Sequence, residues 1–407
     1  MPLITPLNIS LSNRDIIKSI HHDFSGSIIS YPAVTNSFLG GRTGQLSYLY
    51  LSETISNTSS AQIEKTLNDE IANLVNKLSI GRLTLEISKG ICGIGWTLEF
   101  LNQQQGDDYD IEFCNTLDEL MITALSTPQW QGELEYVLGL AGVAVYAARR
   151  LKRSTDPRLY EKIITHYESL AIQVNEQQLS WHQASHSVFR LNTENLDEIE
   201  FNLGLAHGVP GIIAAILPAI KIPQLEHRVQ TLLVRSCNWL LEQQITTDEG
   251  ELGFPSVAGS DSIARLGWCY GDLPIALTLA RVGRDLNLDR FTEAARHIAI
   301  RTSKRTADNG SIFDAGLCHG SSGLIVMFQL LNEILDEPEL EQAALRWLDF
   351  TLQRFTEGGL AGLNAYSGIS LQYEQDTGFL TGYAGIGLAL ITATTGNADW
   401  ADSLLLT

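Results

Sequence analysis

A chain of 407 residues, 44% of them hydrophobic, can bury a large core as one big domain or two modest ones. Its 27 Lys and Arg stand against 47 Asp and Glu, and the formal charge of −20 repels polyanions, which excludes nucleic acid and anionic membrane surfaces as natural partners. Five cysteines are too few for a disulfide framework at this length, so a reducing compartment is expected and any special cysteine is reserved for metal or thiol chemistry.

From the beginning of the chain, "MPLITPLNISLSNRDIIKSIHHDF" lacks a basic segment followed by an unbroken apolar one. The most apolar run, Gly208 to Ile220, is broken by Pro210 and Pro218 and falls short of the roughly 18 residues that a membrane span needs. A soluble, cytoplasmic protein without membrane insertion is the expectation.

A G-x-x-G pattern followed by apolar residues then recurs seven times along the chain, as "GGRTGQLSYLY", "GICGIGWTLEFL", "GLAGVAVYAARRL", "HGVPGIIAAIL", "CYGDLPIALTLA", "CHGSSGLIVMFQLL" and "TGYAGIGLALITA". The first glycines are Gly41, Gly90, Gly139, Gly208, Gly271, Gly320 and Gly382, at intervals of 49, 49, 69, 63, 49 and 62 residues. In the fifth copy Pro274 replaces the second glycine. A unit of about fifty residues, lengthened in places by an inserted loop, fits one helical hairpin.

Between the motifs lies a second kind of helix. After Ser59, with Gln62 as its capping-box partner, Ile63, Leu67, Ile71, Leu74, Val75 and Leu78 fall at helical spacing. Beyond Pro223 the same stripe is made by Leu225, Val229, Leu232, Leu233, Cys237 and Leu240. The helices that follow each G-x-x-G are apolar nearly all round, as helices enclosed on both sides must be. An amphipathic outer ring around an apolar inner ring predicts an all-α fold, an α/α toroid of seven hairpins and about fourteen helices, with an open superhelix as the alternative. Residues 1–407 read as a single such domain, with loop insertions near 174–204 and 248–267. The stretches Ser180 to Gly204 and Asp248 to Gly267 lack the helical pattern and are expected as loops or short strands over one end of the barrel.

Every G-x-x-G precedes its inner helix, so these loops gather at one end of the toroid among helix N-termini, whose dipoles favour anions and thiolates. The copies differ in what stands ahead of the glycine: His207 in the fourth, Cys269-Tyr270 in the fifth and Cys318-His319 in the sixth. Two cysteines and a histidine from adjacent repeats make a soft donor set suited to zinc, with one tetrahedral position open; the alternative is that both cysteines are small residues at crowded helix starts. Cys92 and Cys237 read as buried packing residues. His207 is either a general acid/base or a structural hydrogen-bonder, and Arg265 either faces the site or ties down a loop. Glu135, taken alone, reads as a solvated carboxylate. In "WHQASH", His182 and His186 have the spacing of a helical zinc pair, but Gln183 replaces the general base of such motifs and the surroundings read as a loop.

"GWCYGDLPIA", "CHGSSGL", "LGLAHGVPGI" and "FLTGYAGIGLALI" together resemble the lanthionine synthetase C-like proteins, the cyclases of lanthipeptide biosynthesis, over essentially the whole chain. The length matches the stand-alone, class I type of cyclase. The resemblance implies a seven-hairpin toroid with zinc held by Cys269, Cys318 and His319, and a fourth position that takes water at rest and the substrate cysteine's sulfur in turnover. It also implies catalytic roles for His207, Arg265 and Tyr270. At one position the chain departs from the pattern: the family's usual aspartate is Glu135 here, whose extra methylene displaces the carboxylate by about 1.5 Å.

The activity so implied is Michael-type addition of a peptide cysteine to dehydroalanine or dehydrobutyrine, closing a thioether ring. Arg265 would neutralise the enolate, and His207, oriented by Glu135, would move the proton. The expected partner is a dehydrated precursor peptide, with a dehydratase and an export transporter as further partners and a membrane complex reached only through them. Two other readings are addition of an external thiol such as glutathione to dehydroamino acids, and an inactive, zinc-stabilised peptide-binding scaffold.

Overall fold

Each G-x-x-G motif opens a helix in the computed structural model, which describes residues 4–31, 33, 35–56, 61–80, 84–103, 111–183, 187–191 and 199–407. In chain order the helices are α1 (Leu11–Ser30), α2 (Arg42–Ser56), α3 (Ala61–Ile80), α4 (Ile91–Gln103), α5 (Ile111–Ala124), α6 (Leu140–Arg150), α7 (Arg158–Leu170), α8 (Val209–Ile216), α9 (Glu226–Leu241), α10 (Asp272–Leu286), α11 (Asp289–Thr302), the one-turn α12 (Ala307–Gly310), α13 (Ser321–Leu335), α14 (Pro338–Gly358) and α15 (Tyr383–Thr395). Three antiparallel hairpins join them: β1 (Ile172–Asn175) with β2 (Gln178–Ser180), β3 (Ile245–Thr246) with β4 (Leu252–Gly253), and β5 (Ala365–Ser367) with β6 (Gln372–Glu374).

The helices that follow the glycines pack in sequence, α2 on α4, then α6, α8, α10, α13 and α15, and α15 returns to α2. The ring is therefore closed, and the open superhelix is excluded. Burial follows the two predicted layers. On the inner ring α13 is buried at every residue from Ser321 to Leu331, and α15 from Tyr383 to Ala393. On the outer ring α9 buries one stripe of Val229, Leu232, Leu233, Ser236, Cys237, Trp239 and Leu240. In α3 the stripe is narrower than its spacing suggests: Ile63, Leu67 and Leu74 are buried, but Val75 is exposed. Ser59, its expected cap, lies outside the described residues.

A second closed circle runs through the loops. The acceptor in each link is the residue two before the motif's first glycine. Phe38 N–H donates to Ser88 O, Ser88 to Val137, Tyr136 to Ala206, Ala206 to Cys269, Trp268 to Cys318, Cys318 to Leu380, and Leu380 to Leu39. Seven loops are thus held in one register at one end of the molecule, which is what aligns equivalent side chains around the axis. The second glycine of the motif permits this approach. A Cβ at Gly323 would lie 2.1 Å from Leu317 O, and one at Gly211 2.1 Å from Leu205 O, in each case the carbonyl six residues back.

Space inside the ring is filled by the 3₁₀ segment 399–404 and its neighbours, buried throughout. Tyr136 Oη donates to Ser403 O and Trp268 Nε1 to Leu404 O, directly beneath the loop circle. Arg149, on the inner helix α6, donates to Asp399 and Asp402 at 2.7 and 2.9 Å.

Candidate functional site

Because the loop circle sets equivalent residues side by side, position two before the glycine supplies Cys269 and Cys318 in neighbouring loops, and position one before it supplies His207, Tyr270 and His319. The Cys318 carbonyl accepts from both Trp268 and Cys269 N–H, locking loops five and six together. Ligand atoms of Cys269, Cys318 and His319 all lie within 4.8 Å of one another, and all three residues are partly accessible. A hydrogen bond from the Cys318 thiol, opposed by burial and helped by His319 and Arg265, holds the Cys269 thiol well below its usual range; Cys318 is pushed up correspondingly. Two converging sulfurs sharing a proton, with an imidazole beside them, are a donor set that fits a soft divalent ion and fills three of its four tetrahedral positions. The remaining cysteines are of another kind. Cys92, Cys114 and Cys237 are buried, and burial pushes the thiols of all three up, that of Cys114 to about 12.

One loop away, His207 faces Glu135. The Glu135 carboxylate, 2% exposed, accepts Val137 N–H at 2.7 Å and Leu138 N–H at 2.6 Å. It also lies 2.9 Å from His207 Nδ1. An acceptor-only group with two backbone donors already seated leaves Nδ1–H as the donor of the third bond, so Nε2 is the nitrogen free to exchange a proton. The expectation of a solvated Glu135 is therefore corrected: the extra methylene lets the carboxylate fold back onto its own loop while still reaching the imidazole.

Arg265 is six residues before Gly271 and donates to Ser311 O and His319 O, with its guanidinium 6.0 Å from the Phe313 ring centroid. It ties loop five to loop six, and among the described residues its buried Nε has no partner. Both readings of this residue thus meet in one place: it braces the loops and borders the donor cluster. Tyr270 lies beside His207, ring centroids 6.2 Å apart, and burial pushes its phenol up to about 12, so it is a neutral donor at ordinary pH.

Three residues without a motif of their own join the site. Phe189 stacks on the His207 ring at 4.0 Å and 19°. The Gln183 side chain donates to His207 O, and Asn202 Nδ2 donates to Tyr270 Oη at 2.9 Å. All three come from the inserted stretch after β2, which crosses to the second insertion through the Asn202–Val257 bridge and Leu203 N–H to Ser256 O. His182 is exposed and outside any helix, and His186 falls outside the described residues. A third insertion, the β5–β6 hairpin, is joined to loop six by Asp314, which accepts Tyr366 N–H at 2.9 Å.

A closed α/α toroid whose loop end presents a Cys-Cys-His donor set, with a carboxylate-oriented histidine in a neighbouring loop, defines a class of helical barrel with a candidate metal site. Residues 46–406 match the family model described as "Lanthionine synthetase C-like protein", and the chain belongs to that family. It is 25% identical over 367 residues, 84% of this chain and 82% of the other, to "Nisin biosynthesis protein NisC" of Lactococcus lactis subsp. lactis. Its fold is similar to that of "Nisin cyclase", with a TM-score of 0.68 at 21% identity over 97% of each chain.

Proposed function

We propose that this protein is a zinc-dependent lanthipeptide cyclase, adding cysteine thiols of a dehydrated precursor peptide to dehydroalanine or dehydrobutyrine in the same peptide. The observation that carries the reading is the convergence of Cys269, Cys318 and His319 donors within 4.8 Å. His207 and Glu135, bonded at 2.9 Å, stand at the same end of the toroid. Family membership and the similarity to the nisin cyclase support it. A bound zinc ion supplies the Lewis acidity that keeps a peptide thiol deprotonated near neutral pH.

The chain's own residues supply the rest. Glu135 fixes the His207 tautomer and leaves Nε2 to deliver a proton to the α-carbon of the adduct. Arg265 places positive charge at the edge of the cluster where the enolate oxygen develops charge. Phe189, flat against His207, excludes water from one face of the imidazole. The acceptor is a dehydroamino acid, so a dehydration must precede this step, and a dehydratase is the class of enzyme that supplies the substrate. Among the described residues no helix is long and apolar enough to cross a membrane.

The test is to incubate zinc-loaded protein with a dehydrated, cysteine-containing peptide and count alkylatable thiols by mass spectrometry. Loss of peptide thiol without change of mass is the expected result. A mass gain equal to an added external thiol would replace intramolecular cyclisation by thiol addition, and an unaltered cognate peptide would leave the protein a binding scaffold.

A further inference from the structure

Three of the seven loops carry a side-chain turn at the same place, six residues before the motif's first glycine. Asn202, Asp314 and Asp376 each accept, through Oδ1, the N–H of a glycine two residues on: Gly204 at 2.9 Å, Gly316 at 2.9 Å and Gly378 at 2.6 Å. The other atom of each side chain has a different task. Asp314 Oδ2 accepts Tyr366 N–H, and Asp376 Oδ2 accepts Thr381 Oγ1–H, so both sister loops use a carboxylate where the second atom must accept. In the fourth loop the residue is an amide, and its Nδ2 donates to Tyr270 Oη at 2.9 Å. The amide's orientation is not free: Oδ1 is committed to a backbone N–H, so the nitrogen must face the phenol.

This fixes the polarity at Tyr270. One lone pair of its oxygen is filled by Asn202, and among the described residues no hydrogen bond from the Tyr270 hydroxyl to an acceptor is found. Its O–H hydrogen is left to point elsewhere. Tyr270 packs over Gly204, where a Cβ would lie 2.7 Å from Cε1, and its ring is 6.2 Å from that of His207. The ring is thereby held between the Asn202–Gly204 turn and His207, on the residue that follows Cys269.

Resting on the cyclase reading, we infer that Asn202 is a positioning residue that presents Tyr270 O–H as the hydrogen-bond donor to the carbonyl oxygen of the dehydroamino acid. As the peptide thiolate forms its bond to the β-carbon, the carbon–carbon π bond breaks and its electrons pass to that oxygen. Tyr270 stabilises the resulting enolate without giving up its proton. The enolate then collapses, and His207 delivers a proton to the α-carbon. The sum is addition of S–H across the double bond. Asn202 touches no reacting atom, and its effect is exerted through the direction of one O–H.

Asn202→Asp tests this with almost no change of shape. The carboxylate still accepts Gly204 N–H but now accepts from Tyr270 as well, drawing the O–H away from the substrate. Measured on zinc-loaded protein with the dehydrated peptide, kcat should fall by about 100-fold, as for loss of one oxyanion donor. KM should stay within about twofold, and zinc content should remain at the wild-type value. Tyr270→Phe should match that loss, and the double variant should be no slower than Tyr270→Phe alone. An unchanged kcat in Asn202→Asp, or losses that multiply in the double variant, would overturn the inference. If Asn202→Asp fails to fold, an unchanged kcat in Tyr270→Phe does the same. Wild-type protein that binds zinc and leaves the peptide untouched overturns the cyclase reading instead.

Discussion

At Glu135 one carboxylate serves three donors, two from its own loop and one from His207. A glutamine there must aim its NH₂ either at Leu138 N–H or at Val137 N–H and the imidazole together, leaving a buried donor facing a donor in both cases, at a cost of about 1–3 kcal/mol. Glu135→Gln is expected to lower kcat by about 10²–10⁴-fold, the range typical of a disabled general acid or base, while zinc content stays at the wild-type value. Peptide turnover and metal analysis on the same preparation check both halves, and wild-type turnover would remove Glu135 from the mechanism. The residues with unusual chemistry at equivalent repeat positions, Cys269, Cys318, His319, His207 and Tyr270, were legible in the sequence because the glycines supply a frame for counting. Phe189 and Gln183 were not, since an inserted loop carries no periodicity. Asn202 left a faint signal: it occupies the place of Asp314 and Asp376, but only its hydrogen-bond partner shows why the amide matters.

Among elements, the inner helices were the most legible and the hairpins the least. Complete burial demands apolar residues all round, and α13 and α15 comply. Strands of two to four residues leave no alternation to read, as the mostly exposed β1 and the wholly exposed β6 show. Outer helix α1 contributes a testable pH dependence. His21, on its inward side, has Nδ1 3.1 Å from Tyr48 Oη of α2, and burial lowers its pKa from 6.5 to about 4. The unfolded chain takes up this proton from about pH 6.5 downward, whereas the folded chain resists it until about pH 4. Stability from the neutral ring is therefore complete above pH 6.5 and is lost as the pH falls toward 4, by about 2–3 kcal/mol. In urea titrations at pH 7 and pH 4.5, His21→Gln should show a smaller drop than wild type. Parallel drops would place the acid sensitivity elsewhere.

For the molecule as a whole, closure is the organising fact, and it could not be settled from repeats alone because an open superhelix has the same local sequence pattern. Closure is instead written in contacts between distant segments: α15 on α2, Leu380 N–H on Leu39 O, and the 399–404 segment inside the ring. Arg149 joins that segment to α6 from a fully buried position, with Lys152 as a second cation on the same two aspartates. Arg149→Met leaves those carboxylates underpaired and should destabilise the fold by about 3–5 kcal/mol. The midpoint of urea unfolding measures it, and a loss below about 1 kcal/mol would show that the inner segment does not brace the ring.

The cyclase reading requires that two sulfurs and an imidazole from adjacent loops hold one metal ion. Zinc content per chain, determined by elemental analysis of wild type and Cys318→Ala purified in parallel, tests this most directly. One zinc per chain is expected in the wild type and background levels in the variant, with the helical circular dichroism signal preserved. Equal zinc in both proteins, or none in a folded wild type supplied with the metal, would contradict it.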